Sequence, residues 1–200
     1  MLRLRQRQKP KRKKRIKLAE FFDKISQEHR DFISKQHVFF IATAHKNGRI
    51  NLSPKGMDCF RILSENQVGY LDVGGSGNET QAHLAADGRA TIMFCAFDGP
   101  ALIMRFYTHG RAILPQDSEW ETMSQQFPKL PGARQIFLFE VENVQTSCGW
   151  GVPLMDFVKD REVLSRHHAA VNKEERLAKI SKRTKSVDGL ALRVQEFIPE

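Results

Sequence analysis

Residues 37–54, HVFFIATAHKNGRINLSP, decide the fold class. His37 to Ala44 is rich in β-branched and aromatic side chains, the composition of a half-buried strand. Asn47 before Gly48 favours positive φ and a tight hairpin, and Ile50 and Leu52 carry a partner strand that ends near Pro54. The same grammar recurs downstream. Phe60–Leu63 and Gln67–Val73 flank a Ser-Glu-Asn turn at 64–66, Ala90–Phe97 and Ala101–Thr108 flank Asp98-Gly99-Pro100, and a long apolar strand spans Gln135–Val144. Hairpin connections imply antiparallel pairing, and six or seven short antiparallel strands avoid open edges by closing into a small barrel.

Helical periods fill the intervals. Leu18 to Gln36 reads as one helix with an apolar stripe at Leu18, Phe21, Phe22, Ile25, Phe32 and Ile33. Asn78 opens a short helix with Gln81 as its capping partner, and Ser118 with Glu121 caps another that runs to about Gln126. After the tight segment Cys148–Pro153, two polar helices are expected over 156–170 and 173–182, the second capped by Asn172 with Glu175. The reading is α+β, with a small antiparallel β-barrel at its centre.

The 200 residues suit one domain with appendages, and 40% hydrophobic with 28% charged residues is ordinary globular composition. No apolar run approaches the roughly 20 residues that span a bilayer, so no membrane role is expected. The start lacks the apolar stretch of a secretory leader. Cys59, Cys95 and Cys148 are odd in number and widely spaced, which fits a reducing, cytoplasmic setting rather than a disulfide framework.

The formal charge of +9 is concentrated in residues 1–17, which hold ten of the 32 bases and none of the 23 acids, leaving the remainder at −1. Phosphate-backbone affinity comes from clustered cations, so nucleic acid is not expected except through this basic tail. Its run Lys9–Arg15, KPKRKKR, reads as a nuclear import sequence in a eukaryote, as an RNA or acidic-membrane contact, or as a solvated extension.

Phosphate-loop, HExxH and GxSxG patterns are absent, the seven histidines take no metal-ligand spacing, and GGSGNE at 74–79 fails the dinucleotide fingerprint. Histidines 167 and 168 are expected to face solvent. Two polar stretches remain. Ser53-Pro54-Lys55-Gly56 puts a hydroxyl and a cation at the end of a hairpin strand. Gly75–Thr80 puts small residues before a helix start, where unpaired N–H groups suit a phosphate monoester. Each reads equally as an ordinary turn. Arg61 and Arg105 interrupt apolar strands, so each either faces solvent or reaches a carboxylate or phosphate.

Six fragments in order then carry a resemblance: IATAHKNGRINLSPKG (41–56), GYLDVGGSGNETQAHL (69–84), GRATIMFCAFDGP (88–100), IMRFYTHGRA (103–112), SCGWGVP (147–153) and KSVDGL (185–190). Together they resemble the pyridoxamine 5′-phosphate oxidase-related FMN-binding split barrels, in a subfamily with a helical C-terminal extension. The resemblance implies a six-stranded antiparallel split β-barrel over 18–145, a helical extension over 146–200 packed on the barrel or on a dimer partner, and a homodimer with FMN at its interface. Family members also bind F420 or haem. Carried over, Ser53 and Lys55 would lie along the flavin ring or its phosphate, and Asn78, Glu79 and Thr80 would meet the ribityl phosphate. Arg61 and Arg105 would neutralise phosphate or make dimer contacts, and Trp150 would cover the ring or anchor the extension. The oxidases proper place Arg and Lys at the strand-to-helix phosphate site, where this chain has Gly77, Asn78 and Glu79, and their C-terminal substrate-binding Arg and His pattern is missing.

In such a protein the flavin carries the redox chemistry. No side chain stands out as general acid or base among Tyr107, His109 and His83. Three readings follow: an FMN-dependent oxidoreductase acting on a small molecule, a non-catalytic FMN-binding or sensing module, and a flavin-free split-barrel scaffold acting through its basic tail.

Overall fold

The computed structural model describes residues 19–194, so the basic tail 1–17 lies outside the described residues. One antiparallel sheet organises the molecule. Its strands are β1 (Ala19–Phe22), β2 (Phe39–Thr43), β3 (Asn51–Lys55), β4 (Phe60–Ile62), β5 (Gln67–Val73), β6 (Arg89–Cys95), β7 (Ile103–Ile113) and β8 (Ala133–Ser147). Helices α1 (Gln27–Ile33), α2 (Glu79–Ala86), α3 (Trp120–Ser124), α4 (Val163–Ala170) and α5 (Lys173–Ser181) lie around it.

The strands run in the order β3-β2-β6-β7-β8-β5-β4, with β1 added on β8. No ladder joins β3 to β4, yet the two ends of that order meet. Phe60 of β4 lies 5.1 Å from both Phe39 of β2 and Phe94 of β6, ring centre to ring centre. The sheet therefore curls on itself and stays split between β3 and β4. The fold is α+β with a split antiparallel barrel, as expected, although with eight strands rather than six.

The hairpins fall where expected, but at Asn47-Gly48 neither residue takes a positive φ, and residues 44–50 make a longer connection than a tight turn. Gly48 donates its N–H to His45 at 3.1 Å, and β2 pairs with β3 from Phe39↔Lys55 to Thr43↔Asn51. Alternation on β2 buries Phe39, Ile41 and Thr43 on the barrel side. Ile41, Ile92, Phe106, Ile113, Ile136 and Phe139 are fully out of water and form the core, where burying each side chain contributes about 1.5–3 kcal/mol. Immediately before β4, Met57 and Asp58 take left-handed φ values of 66° and 50°.

Four expectations are corrected. The 18–36 stretch is not one helix. Residues 19–22 pair with Val144–Ser147, and Ser26 starts α1 later, its hydroxyl accepting from His29 N–H while His29 Nδ1 accepts from Ser26 N–H. Strand β7 runs on to Ile113 because β8 pairs with it throughout, across an irregularity at Tyr107/Thr108. The predicted helix at 156 begins only at Val163. Before it the chain is drawn along the barrel, with Met155 N–H donating to Phe97 O at 2.8 Å and Phe157 stacked on His37 at 3.6 Å. Finally, Asn78 precedes α2 but does not cap it, as the site explains.

Candidate functional site

The 74–77 glycine loop leaves β5 and enters α2, and a buried polar cluster lies directly behind it. Asp72, near the end of β5, is 3% exposed. Its Oδ2 accepts from Arg134 Nε at 2.9 Å, from Arg134 Nη2 at 2.6 Å and from Gln135 Nε2 at 2.8 Å. On the other side, Lys55 Nζ lies 3.4 Å from Oδ1 and 5.6 Å from the Tyr70 ring centre. Arg134 and Gln135 come from the start of β8, which pairs with β5, so strand register creates the cluster. Burial works to raise the Asp72 pKa. Arg134, Lys55 and the Gln135 amide outweigh it and hold the carboxyl below its ordinary value.

Gln135 also donates to Asn78 Oδ1 at 2.7 Å, which occupies the oxygen that would have capped α2. Gln81, expected to be the capping partner, instead donates to Gln135 Oε1 at 2.6 Å. The first turn of α2 is left with N–H groups that no side chain caps, beside the loop.

Thr80 belongs to a second chain of contacts. Asn51 Nδ2 donates to Thr80 Oγ1 at 3.1 Å and to Thr43 Oγ1 at 3.2 Å, and Ser53 Oγ donates to Asn51 Oδ1 at 3.2 Å. Thr43 Oγ1 lies 3.1 Å from His83 Nδ1, while Nε2 of that ring is buried without a hydrogen-bond partner. Ser53, Lys55, Asn78 and Thr80 are thus held around the β5–α2 junction by two neighbouring polar networks.

The other expected residues sit elsewhere. Glu79 starts α2, but its carboxylate accepts from Val187 N–H at 3.1 and 3.2 Å, in the KSVDGL turn. That turn also places Asp188 on the backbone and guanidinium of Arg49, so it ties the β2–β3 hairpin to α2. Arg61 binds Asp58, three residues away, and the carbonyls of Phe60 and Gln126. It lines, with Lys55, His37 and Cys59, a separate cavity of about 370 Å³ at the split between β3 and β4. Arg105 donates to Ser147 Oγ at 3.2 Å on the β7–β8 ladder, and Trp150 is 64% exposed after β8. Neither shares a hydrogen-bond partner with the loop cluster.

A cavity of about 350 Å³ opens on the glycine loop. Gly74, Gly75, Ser76, Asn78 and Arg134 form its barrel side, and residues of α4, α5 and the segments after them form the rest. His168 of α4, expected in solvent, seats there: its Nε2 lies 2.7 Å from Gly74 O and its ring packs on Gly132. A Cβ at Gly132 would fall 2.3 Å from that ring, and its φ of +82° is a glycine conformation. Among the described residues the cavity lining holds Arg134, Arg176, Lys179, Arg183 and Arg193 and no carboxylate.

These features test whether a phosphorylated flavin suits the residues present. The lining is cationic, α2 offers uncapped N–H groups, and a Cβ built on Gly75 would meet nothing within 4 Å, so the loop backbone can be approached closely. The donor set fits an anionic phosphate end. Among the described residues, no three His, Cys, Asp or Glu side chains gather as a metal site, and no helix is long and apolar enough to cross a membrane.

A family model described as pyridoxamine 5′-phosphate oxidase matches residues 25–148. The pyridoxamine 5′-phosphate oxidase family protein ustO of Aspergillus flavus is 41% identical over 147 residues, covering 71% of this chain and 59% of that protein. The chain therefore spans less than two thirds of that relative's length. Similar solved structures include HupZ of Group A Streptococcus (19% identity, TM-score 0.48, 60% of this chain and 91% of that one). An FMN-binding protein from Syntrophomonas wolfei (12%, 0.42, 64% and 82%) and HutZ, the heme storage protein of Vibrio cholerae (15%, 0.40, 59% and 89%), are also similar.

Proposed function

The chain belongs to the pyridoxamine 5′-phosphate oxidase family, and from that premise we propose that it binds FMN and acts as a flavin-dependent oxidoreductase on a small molecule. The observation that carries the reading is the junction of the open 74–77 loop, the uncapped start of α2 and the cationic cavity beside them. A bound flavin would supply electron-transfer chemistry that side chains do not offer.

The chain's own residues hold, orient and neutralise. Asn78 and the first N–H groups of α2 would hold the phosphate end, with Gln135 fixing the Asn78 amide. Ser53 and Lys55 on β3 would lie along the ring. Lys55 keeps its charge available because Arg134 already satisfies most of Asp72, leaving the Lys55 contact the longer one at 3.4 Å. Of the three acid–base candidates, His83 is the one held within this cluster, 1% exposed. It is linked through Thr43 and Asn51 to Thr80 and Ser53, whereas Tyr107 donates to Gln145 on the outer face and His109 packs on Gly88.

The active unit is a homodimer. Ile50 and Leu52, 77% and 64% exposed on the β3 side, are apolar surface that a second copy would cover.

An absorption spectrum of the protein purified at neutral pH, with mass spectrometry of whatever denaturation releases, tests the binding. Oxidised FMN near one per chain is expected. A colourless protein that also fails to take up added FMN refutes it. Reduction of the bound flavin by NADH or NADPH, then reoxidation by an added acceptor, tests the oxidoreductase assignment.

A further inference from the structure

The cavity on the glycine loop owes its charge to the part of the chain beyond the barrel. Arg134 is neutralised by Asp72 and Arg193 by Asp117. What remains comes from α5 and the turn after it. Arg176 and Lys179, three residues apart, share one face of α5, Arg183 follows just past the helix end, and all three line the wall opposite Gly74–Ser76.

Among the described residues none of these three cations has a carboxylate partner. Arg183 reaches only Gly75 O, at 3.3 Å, and Arg176 Nε is buried without a hydrogen-bond partner. Three like charges around about 350 Å³ repel one another unless an anion sits between them. Across the cavity, the uncapped N–H groups of α2 present partial positive charge as well. Among the described residues, the groups on this cavity left without a counter-charge are positive, and the loop backbone at Gly75 is open.

We propose that Arg176, Lys179 and Arg183 form a phosphate clamp that closes over a phosphate monoester dianion whose other side faces the 74–78 loop. The barrel offers Gly77, Asn78 and Glu79 at the start of α2 and no cation there, and the clamp brings the cations from the C-terminal segment instead. His168 holds the helical pair in place by seating α4 on Gly74 and Gly132. The monoester is the ribityl phosphate of FMN, so this rests on the flavin reading; a phosphorylated substrate carries the same chemistry.

Titration of the full chain with FMN and with riboflavin, which lacks the phosphate, measures the clamp directly. The full chain is expected to prefer FMN by on the order of 100-fold, and Arg176→Gln/Lys179→Gln to lose most of that preference while its riboflavin Kd is unchanged. A variant that keeps the full preference overturns the clamp. Should the double variant unfold, Lys179→Glu at an exposed position gives the same comparison.

If the full chain binds neither flavin, or both equally, pyridoxal 5′-phosphate and inorganic phosphate become the probes. Neither flavin binding refutes the flavin reading. Binding of these probes by the full chain but not by the variant keeps the clamp and assigns it to a substrate phosphate. No binding, or binding that the variant retains, overturns it.

Discussion

Replacing Asp72 by Asn removes one charge from the centre of the polar cluster and leaves Arg134 behind. Both side chains are nearly out of water, 3% and 9% exposed. Removing one partner of such a buried pair costs about 3–5 kcal/mol, since the other charge stays buried and unneutralised. The Asn oxygen can still accept one hydrogen bond, and Arg134 Nη2 keeps Gly77 O at 3.1 Å, so the lower end, about 3 kcal/mol, is expected. In a chain of this size that lowers Tm by roughly 6–12 °C. Urea unfolding followed by tryptophan fluorescence reads it. Asp72→Asn combined with Arg134→Met should recover at least half the loss, because no charge is then stranded. The pH dependence has a definite sign. The folded-state pKa of Asp72 is depressed, so its contribution is complete above the ordinary value of 3.8 and is lost as pH falls through the folded value. The gap between wild type and Asp72→Asn should be the same at pH 7 and pH 5 and should close below about pH 4. A single variant within about 1 kcal/mol of wild type at pH 7, or a gap that widens on acidification, refutes the reasoning.

Lys55→Ala should lower FMN affinity about tenfold through loss of one charge-assisted contact, read by equilibrium dialysis; unchanged affinity removes Lys55 from the site. Burial pushes the Cys59 thiol up to about 12 and also raises Cys95, whereas Cys148 is only half-buried. With a thiol reagent at pH 8 one cysteine per native chain should react promptly, and three equal rates would contradict the packing. Gly110→Ala would set its Cβ 2.2 Å from Phe139 Cδ1 and 2.9 Å from Leu138 O, and should cost about 2 kcal/mol or more by urea unfolding. A loss under about 0.5 kcal/mol would mean that the β7–β8 pair can part there.

The hairpins were legible because turn-forming residues interrupt the apolar strands locally, as the Ser-Glu-Asn turn does between β4 and β5, although the Asn47-Gly48 connection is longer and without positive φ. The 18–36 stretch misled for the converse reason. Apolar residues at 21, 22 and 25 fit a helical period, and only pairing with a strand more than 120 residues away makes 19–22 extended. The candidate site divides the same way. Its glycine loop and the Ser53/Lys55 strand end show in composition. Asp72 and Arg134, each a charge inside an apolar strand, are 62 positions apart and meet only through the β5–β8 register. The same kind of interruption drew attention to Arg61 and Arg105, whose partners proved to be Asp58 and Ser147. The basic face of α5 can be read from its spacing, but which surface it faces cannot.

The slot that keeps the barrel from closing leaves two strands, β3 and β4, with one flank unpaired, and such flanks invite further chains to add on as fibres grow. Both are spoiled as templates. Pro54, opposite Phe40 in the β2–β3 ladder, has no N–H to offer an incoming strand. β4 is three residues long and is preceded by the left-handed turn at Met57 and Asp58, too short and too bent to seed a ladder. An opening wide enough for a ligand is thereby kept from becoming a site of polymerisation, and a Pro54→Val variant should show it by slow, concentration-dependent light scattering that the native chain lacks.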